Sequence, residues 1–306
     1  MRSEQTIDEQ FGLELTPNTM DKIRYLAKPT LNEPVLLAGF GGWGNAGEVA
    51  TGTIHYLVEQ LKAQDLATLY SDSFHLYSVN RPLVTIATGH LKSLDLPHSR
   101  FFFWSNPGGS DLILFHGPEP QIYWHQYVET FMEMCQDFQV RKFITLGGLH
   151  DEVLHNEEKV SAAGASMDDV QRLRQLHEPM ELIDYVGPSA IHSLFLARAR
   201  DYDLESISIW AHAASYLQGT NFKLCAALIK RLNLLLDLQI DTTELELSWK
   251  LLEDQIESLI TGNEQLRQYV EDLKKREQRG GFTPQSSSSA KVIHLDQFIK
   301  QNKPED

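Results

Sequence analysis

The chain is poor in cysteine and in long apolar runs. It has only two cysteines in 306 residues, Cys135 and Cys225, and both fall within helical patterns. This favours two reduced core thiols over a disulfide framework or a catalytic thiol. No apolar run approaches the roughly 18–20 residues that span a bilayer. The first residues, MRSEQTIDEQF, also lack the apolar core of a signal peptide. The sequence therefore predicts a cytoplasmic protein.

Positive charge is scarce as well. Lysine and arginine total 27 against 42 aspartates and glutamates, which gives a formal net charge of −15. An acidic surface repels the phosphates of nucleic acids and of anionic lipids. We therefore expect neither a nucleic acid nor a membrane as a partner. Hydrophobic residues make up 42% of the chain, which is enough for a sizeable globular core.

A glycine-rich turn follows the first strongly apolar stretch, in the segment PVLLAGFGGWGNAGE from Pro34 to Glu48. The pattern predicts a buried strand, a turn and a helix that starts at Asn45, a favourable N-cap residue. Glu48, three positions on, completes a capping-box pattern. Glycine lets the backbone approach another molecule closely, and the helix start leaves N–H groups free for an anion. The candidate ligand-binding residues of this turn are Gly41, Gly42, Trp43 and Asn45.

The turn has two further interpretations. Its glycines fit the G-x-G-x-x-G pattern of dinucleotide-binding proteins, and Asp72 is placed for the acidic residue that follows the next strand in such proteins. Trp43, however, would crowd a pyrophosphate, and the same glycines also suit a tight turn and close helix packing. We therefore predict no cofactor, and we keep a nucleoside, phosphate or carboxylate ligand at residues 39–47 as an alternative.

Beyond the turn, the pattern predicts helices and strands of an α/β protein. Strands alternate with helices near both ends of residues 34–240, and four strand patterns with hardly a helix between them occupy residues 66–115. Pro120 and Pro188 each suggest the first residue of a helix. We predict a three-layer α/β core domain over 34–240 with a mixed sheet and antiparallel pairs in the meander. The polar residues 1–33 are expected to form an N-terminal arm.

Two more segments carry groups that could do chemistry. Glu119 stands at a strand-to-helix transition, where a carboxylate favours a helix start. His150 and Asp151 follow Gly148 at the end of another strand, although solvated loop residues are the simpler interpretation of the run that ends at His155. Histidines five residues apart suit a metal site poorly, so no metal is predicted. The catalytic candidates are Glu119, His150 and Asp151, and Gly148 is a further ligand-binding candidate. We expect these segments and the glycine turn to face one crevice.

A heptad stripe dominates residues 241–279, the predicted C-terminal helical extension. Apolar residues recur there at spacings of four and three, with one polar member, Asn263, after Gly262. Gly262 weakens the helix, so Asn263 could cap a second half. The stripe predicts either a helix hairpin folded on its own domain or a contact with another subunit. Its candidate interface residues are Leu245, Trp249, Leu252, Ile256 and Leu259. Residues 280–306 are predicted to form a flexible linker, GGFTPQSSSSA, and a short tail.

The order of these motifs resembles the proteasome assembly chaperone 2 family, in its bacterial and archaeal branch. The motifs are GFGGWGNAGE, DLILFHGPEP, TLGG, YVGPS, SISIWAHAASY and QLRQYVEDL, and they cover about residues 30–275. The resemblance implies an α/β fold similar to nucleoside phosphorylases and peptidyl hydrolases, together with self-association. In eukaryotes such proteins help to assemble the outer ring of the proteasome.

The chain departs from the family pattern at several positions. Asn45 stands where relatives often carry aspartate, HDEVLHNE replaces a Pro-His-Thr-Arg-like run, and AASY replaces Pro-His-Tyr. The ending NKPED lacks the hydrophobic–Tyr–any tail of the proteasome-binding chaperones. We therefore predict a protein-interaction or assembly-type homo-oligomer that contacts its partners through the edges of the meander or through the heptad helix. A small-ligand-binding protein or enzyme that uses the glycine turn is the alternative.

Overall fold

The structure, a computed structural model, describes residues 22–70, 74–97, 99–176, 180–278 and 292–295. The predicted arm up to residue 21, Asp72 and the linker at 280–290 lie outside the described residues. The strands are β1 (Ile23–Tyr25), β2 (Val35–Gly41), β3 (Gln64–Leu69), β4 (Leu83–Ala87), β5 (His90–Asp95), β6 (Ser99–Trp104), β7 (Leu112–Pro118), β8 (Lys142–Asp151), β9 (Val160–Gly164), β10 (Glu181–Leu182), β11 (Glu205–Ala214), β12 (Leu217–Gln218) and β13 (Ile293–His294). The α-helices are α1 (Val49–Leu61), α2 (Trp124–Asp137), α3 (Met167–Arg174), α4 (Ile191–Ala199), α5 (Phe222–Leu236), α6 (Thr243–Gly262) and α7 (Glu264–Gln278).

Nine of these strands form one mixed sheet in the order β1-β3-β6-β7-β2-β8-β11-β9-β10. The central strands β7, β2, β8 and β11 run parallel to one another. The pairs β1–β3, β3–β6, β6–β7 and β11–β9 are antiparallel, whereas β9 and β10 are parallel. Parallel strands at the centre of a sheet are covered on both faces, which explains the continuous apolar run of β2.

Helices cover both faces of the sheet, so the predicted three-layer α/β fold is confirmed. On one face Val35 and Leu37 of β2 pack with α1 and α5. On the other face Leu36 and Phe40 pack with α2 and α4, where phenylalanine rings of several elements stack against one another. Alternate residues of one strand therefore feed two separate cores, as the two-residue period of a strand requires.

Both predicted proline helix starts were wrong by three or four residues. After Pro120, the N–H groups of Gln121 and Ile122 donate to the carbonyl of Phe74, so they tie the chain to a neighbouring loop. The helix α2 therefore begins only at Trp124. After Pro188, α4 begins only at Ile191, whose N–H donates to the Glu119 carboxylate. The predictions failed because a proline is compatible with a helix start but does not by itself require one.

The heptad stripe forms a helix hairpin on its own domain. The helices α6 and α7 meet at Gly262 and Asn263, and the side-chain oxygen of Asn263 accepts a hydrogen bond from the N–H of Leu266, as a cap should. The buried stripe packs against Val153, Leu154 and Tyr216 of the core domain. Of the five candidate interface residues, Trp249, Leu252 and Ile256 are buried there, and Leu245 is buried in the core that contains α1 and α5.

The register of the stripe shifts by one residue near its centre. Leu259 is 39% exposed, while Ile260 takes its place in the core. A straight helix with 3.6 residues per turn drifts away from a strict heptad, so a spacing of four replaces the spacing of three after Ile256. A contact with another subunit through the stripe would require the hairpin to open, and it stays a prediction. In the part of the chain that is described, no helix combines the length and apolar character needed to cross a bilayer.

The meander divides into two parts. Strands β3, β6 and β7 join the main sheet as antiparallel neighbours, in agreement with the prediction. Strands β4 and β5 pair only with each other and form a separate hairpin. Every residue of β4 is exposed, although three of its five residues are Leu83, Val84 and Ile86. We call residues 79–95 the apolar hairpin.

Candidate functional site

The glycine turn connects β2 to α1 through a short 3₁₀ turn at Ala46–Glu48. The side-chain oxygen of Asn45 accepts hydrogen bonds from the N–H groups of Ala50 and Thr51, so it caps the first turn of α1. The predicted capping box is absent, because the N–H of Asn45 donates to the carbonyl of Gly42 instead. The Glu48 carboxylate turns away and accepts a hydrogen bond from the Thr220 hydroxyl.

The predicted segments meet at the carboxyl end of the parallel strands. The N–H of Gly148 donates to the carbonyl of Gly44 over 2.8 Å, and Asn45 and Gly148 form a parallel bridge. The N–H of Glu119 donates to the carbonyl of Gly41 over 2.7 Å. The strands β2, β7 and β8 are neighbours in the sheet, so their ends bring these groups together.

The place where they meet is filled by the protein itself. A Cβ atom on Gly148 would lie 2.5 Å from Cγ2 of Val49 and still closer to the carbonyl oxygen of Ala46. A Cβ atom on Gly39 would lie 2.5 Å from the carbonyl oxygen of Ala50. These glycines therefore serve close packing of α1 on the sheet. Trp43 does not plug a crevice, since 62% of its surface is exposed.

Glu119 holds the turn and helix α4 together. Its Oε1 atom accepts a hydrogen bond of 2.7 Å from the N–H of Ile191, the first residue of α4. Burial raises the pKa of the Glu119 carboxyl, and hydrogen bonds from the N–H groups of Ile191 and Trp43 oppose that rise. A carboxylate at a helix N-terminus is favourable, so this contact has a structural explanation.

Asp151 lies at the end of β8 in a cluster of polar side chains. Its Oδ2 atom is 2.8 Å from Nδ1 of His212 and 3.1 Å from Nζ of Lys159. Its Oδ1 atom accepts a hydrogen bond from the N–H of Glu152. The His212 hydrogen bond is the main reason why the pKa of Asp151 lies far below its usual range, and Lys159 and Glu152 add to it, whereas burial opposes it.

The hydrogen-bonded chain continues to a serine. Nε2 of His212 is 2.7 Å from Oγ of Ser161, which is a buried residue of β9. The antiparallel pairing of β9 with β11 places Ser161 opposite Trp210, and the N–H of His212 donates to the carbonyl of Lys159. We call Ser161, His212 and Asp151 the relay.

Ser161 and Lys159 were not among the sequence-predicted site residues. They lie about fifty positions before His212, and only the pairing of β9 with β11 makes them neighbours. A signal was present, because polar residues alternate with apolar ones in the strand patterns SISIWAH and VSAAG. That alternation identifies a polar row on one face but does not reveal its partners.

The two predicted histidines have different surroundings. His150 is exposed, and partial desolvation lowers its pKa against an opposing hydrogen bond with the Ala214 backbone. His155 is buried rather than solvated, which corrects the loop interpretation. Its Nδ1 atom is 2.8 Å from the Tyr216 hydroxyl, and its Nε2 atom is 3.1 Å from Oε1 of Glu257 on α6. His155 thereby links the core domain to the C-terminal hairpin.

A cleft of 790 Å³ lies between α1 and α6, and its lining includes Thr51, which hydrogen-bonds to Asn45 of the glycine turn. Its floor includes Leu245, Leu252 and the Cys225 thiol, and its walls carry three carboxylates. These are Glu48, Glu59 and Glu244. We call this cleft the acidic cleft. Within the described ranges, no three histidine, cysteine, aspartate or glutamate side chains are grouped so that they could hold a metal ion.

Comparisons with known proteins agree with this architecture. A model described as the PAC2 family matches residues 39–260. The chain is similar to a PAC2 family protein from Streptomyces avermitilis, with 26% identity and a TM-score of 0.66 over 78% of this chain and 99% of that one. A proteasome-assembly chaperone homologue from Mycobacterium tuberculosis has 24% identity and a TM-score of 0.69, over 77% and 99% of the two chains.

An archaeal proteasome activator from Pyrococcus furiosus, PbaB, has 22% identity and a TM-score of 0.63, over 78% of this chain and 97% of that one. None of the curated proteins matches the chain significantly. The family match spans the α/β core and most of α6, so it includes both the glycine turn and the relay.

Proposed function

The chain belongs to the PAC2 family, and from this premise we propose that it is a cytoplasmic, assembly-type protein that binds other copies of itself. Two of the structurally similar proteins are a proteasome-assembly chaperone homologue and an archaeal proteasome activator, and both descriptions concern a protein assembly. Their likeness to this chain concerns the fold, so it supports the proposal without identifying a partner.

The apolar hairpin is the observation that carries the proposal. Leu83, Val84 and Ile86 are each more than half exposed, and they lie on both faces of the hairpin because side chains alternate along a strand. An isolated two-stranded hairpin is marginal in water, and a free strand edge invites pairing with another chain. A surface of this kind is expected to be covered by a protein partner.

Charge favours a second copy of the same chain as that partner. The apolar hairpin contains Arg81 and Lys92 against a single carboxylate, Asp95, in a chain whose net charge is −15. The hairpin is therefore a basic and apolar segment on an acidic protein. Complementary charge steers association and selects the surface that is contacted.

The acidic cleft has the opposite character to the hairpin. Glu59 and Glu244 lie beside apolar residues in this cleft. The two carboxylates would attract Arg81 and Lys92, and the apolar residues would bury Leu83 and Ile86 of the hairpin. In this proposal the hairpin of one copy sits in the acidic cleft of the next. Such a head-to-tail contact closes a ring when the rotation between copies allows it.

The ligand-binding alternative has less support. The groups expected to line a site at residues 39–47 hydrogen-bond to each other, and Gly148 packs directly on Ala46 and Val49. A binding site for a nucleoside or carboxylate needs a concave pocket with polar groups that are free to face the ligand.

The first test removes the apolar part of the contact. The double variant Leu83→Ser with Ile86→Ser should have a lower molar mass in multi-angle light scattering than the unmodified chain. The matched control is Met167→Ser with Leu247→Ser, because both residues are more than half exposed but lie outside the hairpin and the cleft. The control should keep the original mass. An unmodified chain that is monomeric at micromolar concentration would contradict self-association.

The second test exchanges the charges. Arg81→Glu with Lys92→Glu, and separately Glu59→Lys with Glu244→Lys, should each lower the oligomer mass, because like charges then face each other. An equimolar mixture of the two variants should regain the mass, since each hairpin again meets a cleft of opposite sign. If each variant loses mass and the mixture does not recover it, the hairpin does not bind this cleft.

A further inference from the structure

We propose that the relay of Ser161, His212 and Asp151 is a serine-type acyl-transfer site for small carboxylic esters. The proposal goes beyond the assembly role and does not depend on it. The distances are 2.7 Å from the Ser161 Oγ to His212 Nε2 and 2.8 Å from His212 Nδ1 to Asp151 Oδ2. A nucleophile is thus within hydrogen-bond reach of a base, and the base is within hydrogen-bond reach of a carboxylate that orients it.

The charges fix the direction of the hydrogen bonds. An ionised carboxylate can only accept, and Lys159 adds a positive charge at the same Oδ2 atom. The Nδ1 atom of His212 must therefore donate its proton to Asp151. In the neutral imidazole this leaves Nε2 as an acceptor, so the Ser161 hydroxyl donates to it. This is the tautomer that a general base needs in order to take the proton of a serine.

Three strands carry the residues of the relay, with Asp151 at the end of β8. Ser161 and His212 stand on paired strands, and the N–H of His212 binds the carbonyl of Lys159 over 3.0 Å. The Asp151 carboxylate is fixed further by the N–H of Glu152. Side chains on strands are positioned more precisely than side chains on loops, and such pre-orientation is what catalysis requires.

The burial of the relay limits the size of the substrate. Ser161 is 2% exposed, whereas the side chains of His212 and Asp151 are 10% and 17% exposed. Residues 184–189, all exposed, connect β10 to α4 and border the same strand pair, because the N–H of Ile183 binds Ala162 and the His192 ring packs on Trp210. A hydroxyl this deeply buried is out of reach of a folded protein, so the substrate is a small ester that approaches beside this exposed segment.

The reaction is a balanced acyl transfer. The Ser161 oxygen bonds to the acyl carbon while its proton passes to Nε2 of His212. The ester C–O bond then breaks, and the leaving alcohol takes that proton, which leaves an acyl-serine and a neutral imidazole. Water attacks the acyl carbon with His212 taking and returning a proton, so the carboxylic acid is released and the serine is restored.

Covalent labelling tests the proposal on the full chain. Diisopropyl fluorophosphate should phosphorylate Ser161, as an Oγ–P bond forms and fluoride leaves, and peptide mass spectrometry locates the adduct. Ser161→Ala should abolish the label. The matched control Ser208→Ala changes a buried serine of β11 whose hydroxyl accepts a hydrogen bond from the indole N–H of Trp210, and it should label at the original rate. Melting temperatures confirm that each variant is folded.

The contribution of Asp151 to the tautomer gives a second readout. Asp151→Asn should slow labelling by about a hundredfold or more, because the imidazole then loses its preferred orientation. His212→Gln should abolish labelling and serves as the decisive variant if Asp151→Asn does not fold. No adduct on the unmodified chain, an adduct that persists in Ser161→Ala, or full-rate labelling of His212→Gln would each overturn the assignment.

Discussion

Two glycines of this chain, Gly148 and Gly262, differ in the space available for a side chain. A Cβ atom on Gly148 would collide with Val49 and Ala46, whereas a Cβ atom on Gly262 would meet nothing within 4 Å. We expect Gly148→Ala to lower the free energy of unfolding by about 3 kcal/mol, since the backbone of the 3₁₀ turn cannot yield. Gly262→Ala should raise it by about 0.5 kcal/mol through helix propensity. Urea denaturation of both variants measures the difference.

Equal stability of the two glycine variants would contradict this packing. It would mean that the turn between β2 and α1 can move away from β8, and the bridge between Asn45 and Gly148 would not hold the site together. The comparison therefore tests the geometry of the candidate site without assuming any activity.

Asp151 gives a residue-scale prediction for pH. Its pKa is lower in the folded protein than the ordinary value of 3.8, chiefly because His212 donates to it. The folded state thus binds this proton less readily than the unfolded state. The stabilisation is present above pH 3.8 and is lost as the pH falls from there towards the folded pKa.

We expect Asp151→Asn to be less stable than the unmodified chain by about 1–2 kcal/mol near neutral pH. The gap should narrow when the pH is lowered through the range in which the unfolded carboxyl titrates. Urea denaturation curves at a series of pH values provide the measurement. A gap that is independent of pH would show that the carboxylate charge does not stabilise the fold.

At the scale of elements, the C-terminal hairpin presents two unlike faces. Leu252 and Ile256 are buried against the core domain, while Leu247 and Leu251 of the same helix are mostly exposed. We expect Leu252→Asp with Ile256→Asp to detach α6 and α7, at a cost of at least about 4 kcal/mol, because two carboxylates would be buried without partners. Hydrogen exchange should become fast throughout both helices.

The matched control is Leu247→Asp with Ser258→Asp, which adds the same charge at exposed positions of α6 that lie outside the acidic cleft. Its hydrogen exchange and melting temperature should stay close to those of the unmodified chain, as is usual for surface substitutions. If the buried-face variant kept slow hydrogen exchange in both helices, the stripe would not be packed on its own core domain.

At the scale of the whole molecule, the proposed self-association joins a basic, apolar hairpin to an acidic cleft. The charged part of such a contact is screened by salt, whereas the apolar part is not. We therefore expect the dissociation constant, measured by sedimentation, to rise several-fold between about 0.05 M and about 0.5 M sodium chloride. The variant Arg81→Glu with Lys92→Glu should lose this salt dependence. An association that strengthens steadily with salt would indicate a purely apolar contact.

Much of the fold could be predicted from the sequence, because periodicity is local. The alternation of strands and helices predicted the three-layer mixed sheet, and the side chains of Ser166 and Asn221 cap the starts of two of its helices. Helix starts at Pro120 and Pro188 were wrong because distant groups accept hydrogen bonds from the N–H donors there. These are the Phe74 carbonyl after Pro120 and the Glu119 carboxylate at Ile191. The exposure of β4 could not be predicted, because its apolar residues are also typical of a strand buried in the sheet.

The candidate site was predictable only in part. The glycine turn, Glu119 and Gly148 could be brought together because parallel strands end at one edge of a sheet. That they fill their own crevice depends on distances of a few tenths of an ångström, which a pattern does not encode. Asp151 was identified as a candidate, but Ser161 was not.

By itself, the sequence determined the order of the elements, the family, the acidic charge and the break of the heptad helix at Gly262. Each of these follows from residues that are near one another in the chain. Only the tertiary structure decided that the heptad stripe is buried in its own chain, that the apolar hairpin is bare, and that Ser161 meets His212. The physical reason is that burial and hydrogen bonding depend on which distant segments share a surface, and strand pairing alone selects them.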